Sequence, residues 1–541
     1  MMAGSVRWLS VPGSVHPGVA TGLSAPPTYR WGQTLWQMIH ERAERLPDSR
    51  LVSDEKGNVL TAAEYRDRAE RVAAGLMGLG VTASSIVSWQ LPSNIESMLI
   101  LAALCRLDAT QNPLIMILRE PEVEFITHQA GSQLLITSGH FRNYDHGVMA
   151  HSIAERTPGL TALVLAGVLP DADPAILPPA PYDHGDEVRW LYYTSGTTAE
   201  PKGARHRDRD LISGAHTFCD SLEPTAADKI ASVAPMAHVG GVLFFLSALV
   251  SDASLIITEV FDPISTTKQL AEAGVTICGS GVPFIQGFLA QQRLDPQTKL
   301  LPDVKVFIVG GASRIESLHY QAKNELGGVG IVSGYGMTES PFMTFGRLDD
   351  SDWHHAMADG RPGPGVDLII VKDDGTRALA GEAGEVRVKA NTMMAGYVDP
   401  LLDETAFDDD GYFRTGDVAY LDAEGFLIIS GRIKDVIIRN MENISAREVE
   451  IPLIDHPKVL IASVIGLPDE LTGERVCAVV VPVDLAEAPT LDELCRYLRE
   501  HGLNPRKLPV QLEIVDELPL NAMGKVMKQT LQQRFREKAH S

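Results

Sequence analysis

Cysteine is scarce and scattered. The five residues Cys105, Cys219, Cys278, Cys477 and Cys495 form no CxxC pair and have no histidine nearby at ligand spacing. Isolated cysteines make neither a disulfide framework nor a zinc site, so a reducing, cytoplasmic setting is the default expectation. Long apolar runs are also missing. The most apolar stretch, Gly240 to Val250, falls far short of the roughly 20 residues a helix needs to span a bilayer, and no transmembrane segment is expected. The N-terminus lacks the charged-then-apolar pattern of a secretory signal. Residues 1–40 hold no acidic residue, yet their only arginines are Arg7 and Arg30, and residues 1–30 read as a flexible leader. Positive charge is in deficit, with 47 Lys and Arg against 70 Asp and Glu and a net charge of -23. That balance argues against a general nucleic-acid binder or a protein held electrostatically on an anionic membrane. No tract is repetitive or of low complexity.

What is present is a 541-residue chain, 45% hydrophobic, too long for one ordinary domain of roughly 100–200 residues. Thr61 and Glu64 have capping-box spacing, and Tyr65, Ala69, Val72, Ala73 and Leu76 then repeat on one helical face. Strands are expected at Ile86–Leu91, Gln133–Thr137, Thr161–Ala166, Arg189–Tyr193, Lys305–Val309 and Gly330–Ser333, with a buried helix at Asn94–Leu107. Strands alternating with helices predict an α/β fold with a largely parallel sheet, whose ligands sit beyond the carboxyl ends of the strands. After about residue 360 the pattern changes to Gly- and Pro-rich turns and short alternating strands such as Gly384–Lys389, a β-rich subdomain. From about Lys434 a compact α+β unit is expected, with a strand at Val476–Val481 and a helix at Leu491–His501. The organisation predicted is a leader (1–30), a large N-terminal domain of stacked α/β subdomains plus the β-rich subdomain (31–433), and a small C-terminal domain (434–541).

The most informative run follows an apolar strand: Tyr193, Thr194, Ser195, Gly196, Thr197, Thr198, Ala199, Glu200, Pro201, Lys202, Gly203. Small residues let backbone amides approach phosphate oxygens, hydroxyls add donors, and the lysine sets a cation beside the charge. It is not an ordinary P-loop, because Lys202 is followed by Gly203 and not by Ser or Thr. A surface loop of the same composition would carry no such function.

The run resembles the phosphate-binding loop of the adenylate-forming superfamily of acyl-CoA synthetases, peptide-synthetase adenylation domains and firefly-type luciferases. The resemblance continues in order from about residue 30 to the C-terminus. Pro235-Met-Ala-His238-Val-Gly-Gly241 looks like the segment leading into the acyl pocket. Gly310-Gly311-Ala312 and Ser333-Gly334-Tyr335-Gly336-Met337-Thr338-Glu339-Ser340 look like the adenine- and magnesium-binding segments. Arg414-Thr-Gly-Asp417, Gly431-Arg432-Ile-Lys434-Asp435 and Pro519-Leu-Asn-Ala-Met-Gly524-Lys525 complete the series.

The resemblance implies roles as well. Tyr335 would stack on adenine, Thr338 would donate to the α-phosphate, and Glu339 would hold Mg²⁺ through oxygen. Asp417 would accept the ribose hydroxyls, and Arg432 would bond ribose or phosphate. Lys525 would sit between carboxylate and phosphate, opposing their repulsion in the transition state. The C-terminal domain would act as a lid turning about Lys434 between adenylation and thioester formation. His238 would either gate the pocket and contact the carboxylate, or be a buried structural histidine. Val239, Gly240, Gly241, Phe244, Val282, Pro283, Phe284 and Gly310 suggest an apolar pocket without a fixed counter-charge, suited to a fatty, aromatic or alicyclic acid. Val239 stands where amino-acid activators place an Asp.

The expected activity is therefore that of a carboxylic acid–CoA ligase using ATP, Mg²⁺ and coenzyme A, with a homodimer held open. In the lid loop, Asn440-Met441 stands where CoA users commonly have Gly-Gly, and Ala446 where Pro is frequent. A stand-alone enzyme passing acyl-AMP to a carrier protein, a luciferase-type monooxygenase and a silent nucleotide-binding homologue are the competing readings.

Overall fold

Two sheets share one hydrophobic core. The computed structural model describes residues 33–194, 201–279, 281–310, 315–439, 442–469, 471–520 and 526–538. The first sheet has six strands in the spatial order Lys202–Arg207, Val188–Thr194, Thr110–Pro113, Ile86–Gln90, Leu134–Ser138, Thr161–Leu165. All its pairings are parallel except the edge pairing of Lys202–Arg207 with Val188–Thr194. The second has nine strands, and its centre (Val306–Gly310, Ile277–Gly279, Lys229–Ser232, Ser254–Ile257, Arg50–Ser53) is wholly parallel. Ile331–Met337 extends it in parallel, and Ser340–Phe345 then turns back antiparallel.

Helices that are apolar all round must be covered all round. Ile95–Arg106 and Val239–Ser251 are of this kind, and their side chains join Val87, Trp89 and Trp190 of one sheet to Ile230, Leu255 and Ile308 of the other in a single cluster. Asn94 starts the first of these helices by accepting from the Ser97 amide at 3.0 Å, while Ser97 Oγ answers the Asn94 amide at 3.2 Å. The expected capping box at Thr61 and Glu64 is formed reciprocally.

Strand alternation builds a second core on the far face of the nine-stranded sheet. Val306 and Ile308 face the shared cluster, whereas Phe307 and Val309 join Ile285, Phe288 and Leu318 on the other side. Ile331 and Val332 divide in the same way, which leaves Ser333 on the face of Ile331.

The β-rich region is a four-stranded antiparallel sheet of Val366–Val371, Gly384–Ala390, Phe413–Leu421 and Leu427–Arg432. A five-stranded sheet follows, built from Val436–Arg439, Glu442–Ser445, Val459–Asp469, Gly473–Pro482 and Gln511–Ile514, with helices Ala446–Ile454, Leu491–Glu500 and Lys528–Lys538. This is the small C-terminal domain after a large N-terminal one, the mixed α/β architecture expected. Between the two sheets lies one helical turn, Ile433–Asp435. The Ser445 hydroxyl donates to the Ser430 carbonyl at 2.8 Å, and the Ser317 hydroxyl to Asp455 at 2.8 Å, so contacts cross this junction. Residues 1–30, the expected leader, lie outside the described residues.

Candidate active site

Thr338 and Glu339 are the two-residue turn between strands Ile331–Met337 and Ser340–Phe345, at the carboxyl end of the parallel run. Gly336 is obligatory beside them, since a Cβ there would meet the Phe342 backbone nitrogen at 2.5 Å. The buried His206 side chain donates from Nε2 to the Thr338 carbonyl at 2.7 Å, tying the turn to strand Lys202–Arg207. Burial pushes the His206 imidazole down to about 4. It is therefore the neutral tautomer, protonated on Nε2, that holds Thr338.

A third chain segment joins these two. The amide of Ala395 donates to the Arg205 carbonyl and that of Val398 to the Gly203 carbonyl, each at 2.7 Å. This pairing delivers Tyr397, whose hydroxyl donates to Glu339 Oε1 at 2.8 Å and whose ring lies 5.7 Å from Lys202 Nζ. Burial, then the charge of Glu339, raises the Tyr397 hydroxyl above its ordinary range, so it remains a donor. Lys202, Tyr397, Glu339 and Thr338 thus converge on one spot. Thr194 is directly opposite Lys202 in the edge pairing.

Asp417 lies on the flank. It is buried and accepts from the Tyr335 hydroxyl at Oδ2 and from Arg432 Nε at Oδ1, both at 2.7 Å. Arg432 is its partner in strand register. Tyr335 packs with Ala204, Met343 and Tyr397 in the core of the β-rich region.

His238 caps helix Val239–Ser251, its Nδ1 accepting from the Gly240 amide at 3.1 Å. Nε2 therefore carries the proton and has no partner among the described residues. Burial holds this imidazole at about 4, and His238 lines a small cavity with Tyr193, Ala237, Val239 and Thr338.

The other predicted pocket residues do not all meet there. Phe244 is in the shared core, its ring edge-on to Phe218 at 5.8 Å. Val282 lines a separate cavity with Ser333, and Phe284 stacks edge-on to Phe261 at 4.8 Å at the start of the helix that includes Pro283. Gly310 ends its strand opposite Gly334. Met337 adjoins the core of the β-rich region, and Lys434 is exposed in the turn between the two C-terminal sheets. Ser195, Gly196, Thr197, Thr198, Gly311, Ala312 and Lys525 lie outside the described residues.

Residues 39–398 match the family model of the AMP-binding enzyme, and residues 448–525 that of the AMP-binding enzyme C-terminal domain. The chain belongs to the AMP-binding enzyme family. It is an adenylate-forming ligase of that superfamily. It is 31% identical to the long-chain-fatty-acid–CoA ligase FadD13 of Mycobacterium tuberculosis, over 92% of this chain and 98% of that one. It is 27% identical to the medium-chain fatty-acid–CoA ligase of Escherichia coli, over 92% and 90%. ATP-bound MatB from Rhodopseudomonas palustris superposes with a TM-score of 0.83 at 26% identity, covering 93% of this chain and 99% of that one. The described helices include none long and apolar enough to cross a membrane.

Sequence reasoning missed His206 and Tyr397 in this ligase. Both act on the turn at residues 338–339 from more than 50 positions away, and neither sits in a motif-like string. Only the pairing of 203–205 with 395–398 reveals Tyr397.

Proposed function

We propose that this adenylate-forming ligase activates an apolar carboxylic acid, fatty, aromatic or alicyclic, and transfers the acyl group to coenzyme A. The observation that carries the reading is the convergence of Lys202, Thr338 and Glu339 beside a cavity lined by a neutral His238. The substrate carboxylate attacks the α-phosphorus of ATP, the bond to the bridging oxygen breaks, and pyrophosphate leaves. Acyl-AMP remains. Lys202 and the hydroxyls of residues 194–198 hold the departing phosphates, and Thr338 donates to the α-phosphate. The free N–H of His238 orients the attacking carboxylate, with Val239 and the neighbouring apolar residues around its tail.

Glu339 suits Mg²⁺. Its carboxylate is half-buried, one oxygen is fixed by Tyr397, and the other has no partner among the described residues. Such a hard oxygen donor would hold the ion, which when bound neutralises phosphate charge. Asp417, positioned by Tyr335 and Arg432, receives the ribose. Lys525 stabilises the charge developing between the two anions. The domain of residues 434–541 then turns about Lys434, relative to residues 31–433, so that the CoA thiol displaces AMP.

A screen of aliphatic, aromatic and alicyclic acids for AMP release, with and without CoA, tests this. Acid-dependent AMP release that accelerates with CoA and yields a thioester supports it. Release indifferent to CoA removes the second half and points to a carrier protein.

A further inference from the structure

We propose that the nucleotide-side strand of this ligase is backed by a site for one nitrogen-loving divalent cation, of the Zn²⁺ or Co²⁺ class, formed by His319, Asp352 and His355. The three side chains come from two helical segments, Glu316–Gln321 and Asp352–Met357. They present one ligand atom each, all within 4.8 Å of one another. They lie on the far face of the nine-stranded sheet, away from the cluster of Lys202, Thr338 and Glu339, and the reading of the active site does not use them.

The protonation pattern fits a cation. His355 is 4% exposed and donates from Nε2 to the Arg347 carbonyl at 2.8 Å. Its Nδ1 therefore carries a lone pair, and that buried atom has no partner among the described residues. A ligand histidine whose other ring N–H is fixed by a carbonyl is the usual arrangement around a bound transition metal. His319 is 1% exposed, with Nδ1 3.2 Å from the Ile331 carbonyl and Nε2 3.4 Å from Asp352 Oδ1. The Ile331 amide also lies 3.2 Å from Nδ1, so two tautomers compete, and in the one that gives Nδ1–H to the carbonyl Nε2 offers a lone pair to an ion. Its ring is pinned: a Cβ on Gly330 would lie 2.9 Å from His319 Cε1. Lys323 Nζ bonds both Asp352 oxygens, at 2.6 and 2.7 Å, and is the natural competitor. Both groups of that pair are about two-fifths exposed, so Lys323 can keep Oδ2 while Oδ1 turns to the ion.

Two imidazoles and one carboxylate favour Zn²⁺ or Co²⁺ over Mg²⁺ or Ca²⁺, which prefer oxygen alone. His319 and His355 also line the cavity that contains Ser333, whose hydroxyl is likewise buried without a described partner. The ion would thus brace two helices against strand Ile331–Met337, which carries Ser333 to Met337. Its part is positional.

The test uses the full chain, stripped with a chelator and then titrated with Co²⁺ and Zn²⁺ in the presence of excess Mg²⁺. The expected result is one equivalent of Co²⁺ with visible d–d absorption, displaced by Zn²⁺, and a rise in Tm on binding. His355→Gln and, independently, Asp352→Asn should each weaken binding at least tenfold. The second lies at a half-exposed position and leaves the buried histidines in place, so it keeps the test open should the first fail to fold. Absence of Co²⁺ absorption in folded wild type, or equal binding by the wild type and Asp352→Asn, overturns the proposal. So does a crystal grown with Zn²⁺ in which only water joins His355 Nδ1 and Ser333 Oγ.

Discussion

The hydroxyl of Tyr335 lies 2.7 Å from Oδ2 of Asp417, and Arg432 holds the other oxygen of the same carboxylate at the same distance. A buried carboxylate with both oxygens engaged does not turn, and each oxygen retains a lone pair for a further donor. The arrangement therefore presents Asp417 in a fixed orientation. It also gives the Tyr335 hydroxyl a positioning task.

Tyr335→Phe removes only the hydroxyl. Losing one hydrogen bond to a buried charged group should cost about 1–3 kcal/mol of stability. With Asp417 held from one side alone, KM for ATP should rise about threefold to tenfold while kcat changes little. Steady-state kinetics on the variant decide this. An unchanged KM for ATP would mean that Arg432 positions Asp417 unaided.

Tyr397 plays the corresponding part for Glu339. Tyr397→Phe frees Glu339 Oε1, and loss of such an outer partner typically costs a metal site tenfold or more. The Mg²⁺ concentration for half-maximal activity should therefore rise about tenfold, with activity recovering in excess Mg²⁺. A Mg²⁺ titration identical to wild type would separate Glu339 from the ion.

His206 makes stability depend on pH. Burial holds it at about 4 in the folded protein, against an ordinary value near 6.5 in the unfolded chain. As pH falls below about 6.5 the unfolded chain takes up a proton that the folded one refuses, so stability is lost from there down to about pH 4 and is flat above. Between pH 7 and pH 5 the loss attributable to His206 is about 2 kcal/mol. Denaturant melts of wild type and His206→Gln at both pH values should differ by that amount in their pH dependence. Parallel changes in the two would contradict it.

Strand and helix identity was largely legible in the sequence because a buried parallel strand such as Val306–Gly310 is a continuous apolar run, and a helix buried on every side such as Ile95–Arg106 is another. The break before the β-rich sheet was marked by its Gly- and Pro-rich turn. The pairings inside the site were not legible. Asp417 meets Tyr335 across 82 residues and His206 meets Thr338 across 132, and no local pattern encodes a contact of that span. Nor was it legible which of the apolar residues expected around the acid share a cavity: His238 and Val239 line one and Val282 another. Side-chain direction around a sheet decides that, and it depends on strand register.

The proposed role of Lys525 is in adenylation and not in transfer. The direct measurement is carboxylate-dependent exchange of labelled pyrophosphate into ATP, run on wild type and Lys525→Ala, beside thioester formation from supplied acyl-AMP and CoA. Removing one donor that stabilises developing charge should slow exchange by on the order of 10²–10³ and leave thioester formation nearly intact. Equal loss of both half-reactions, or exchange in wild type that needs no carboxylic acid, would rule out this role for Lys525.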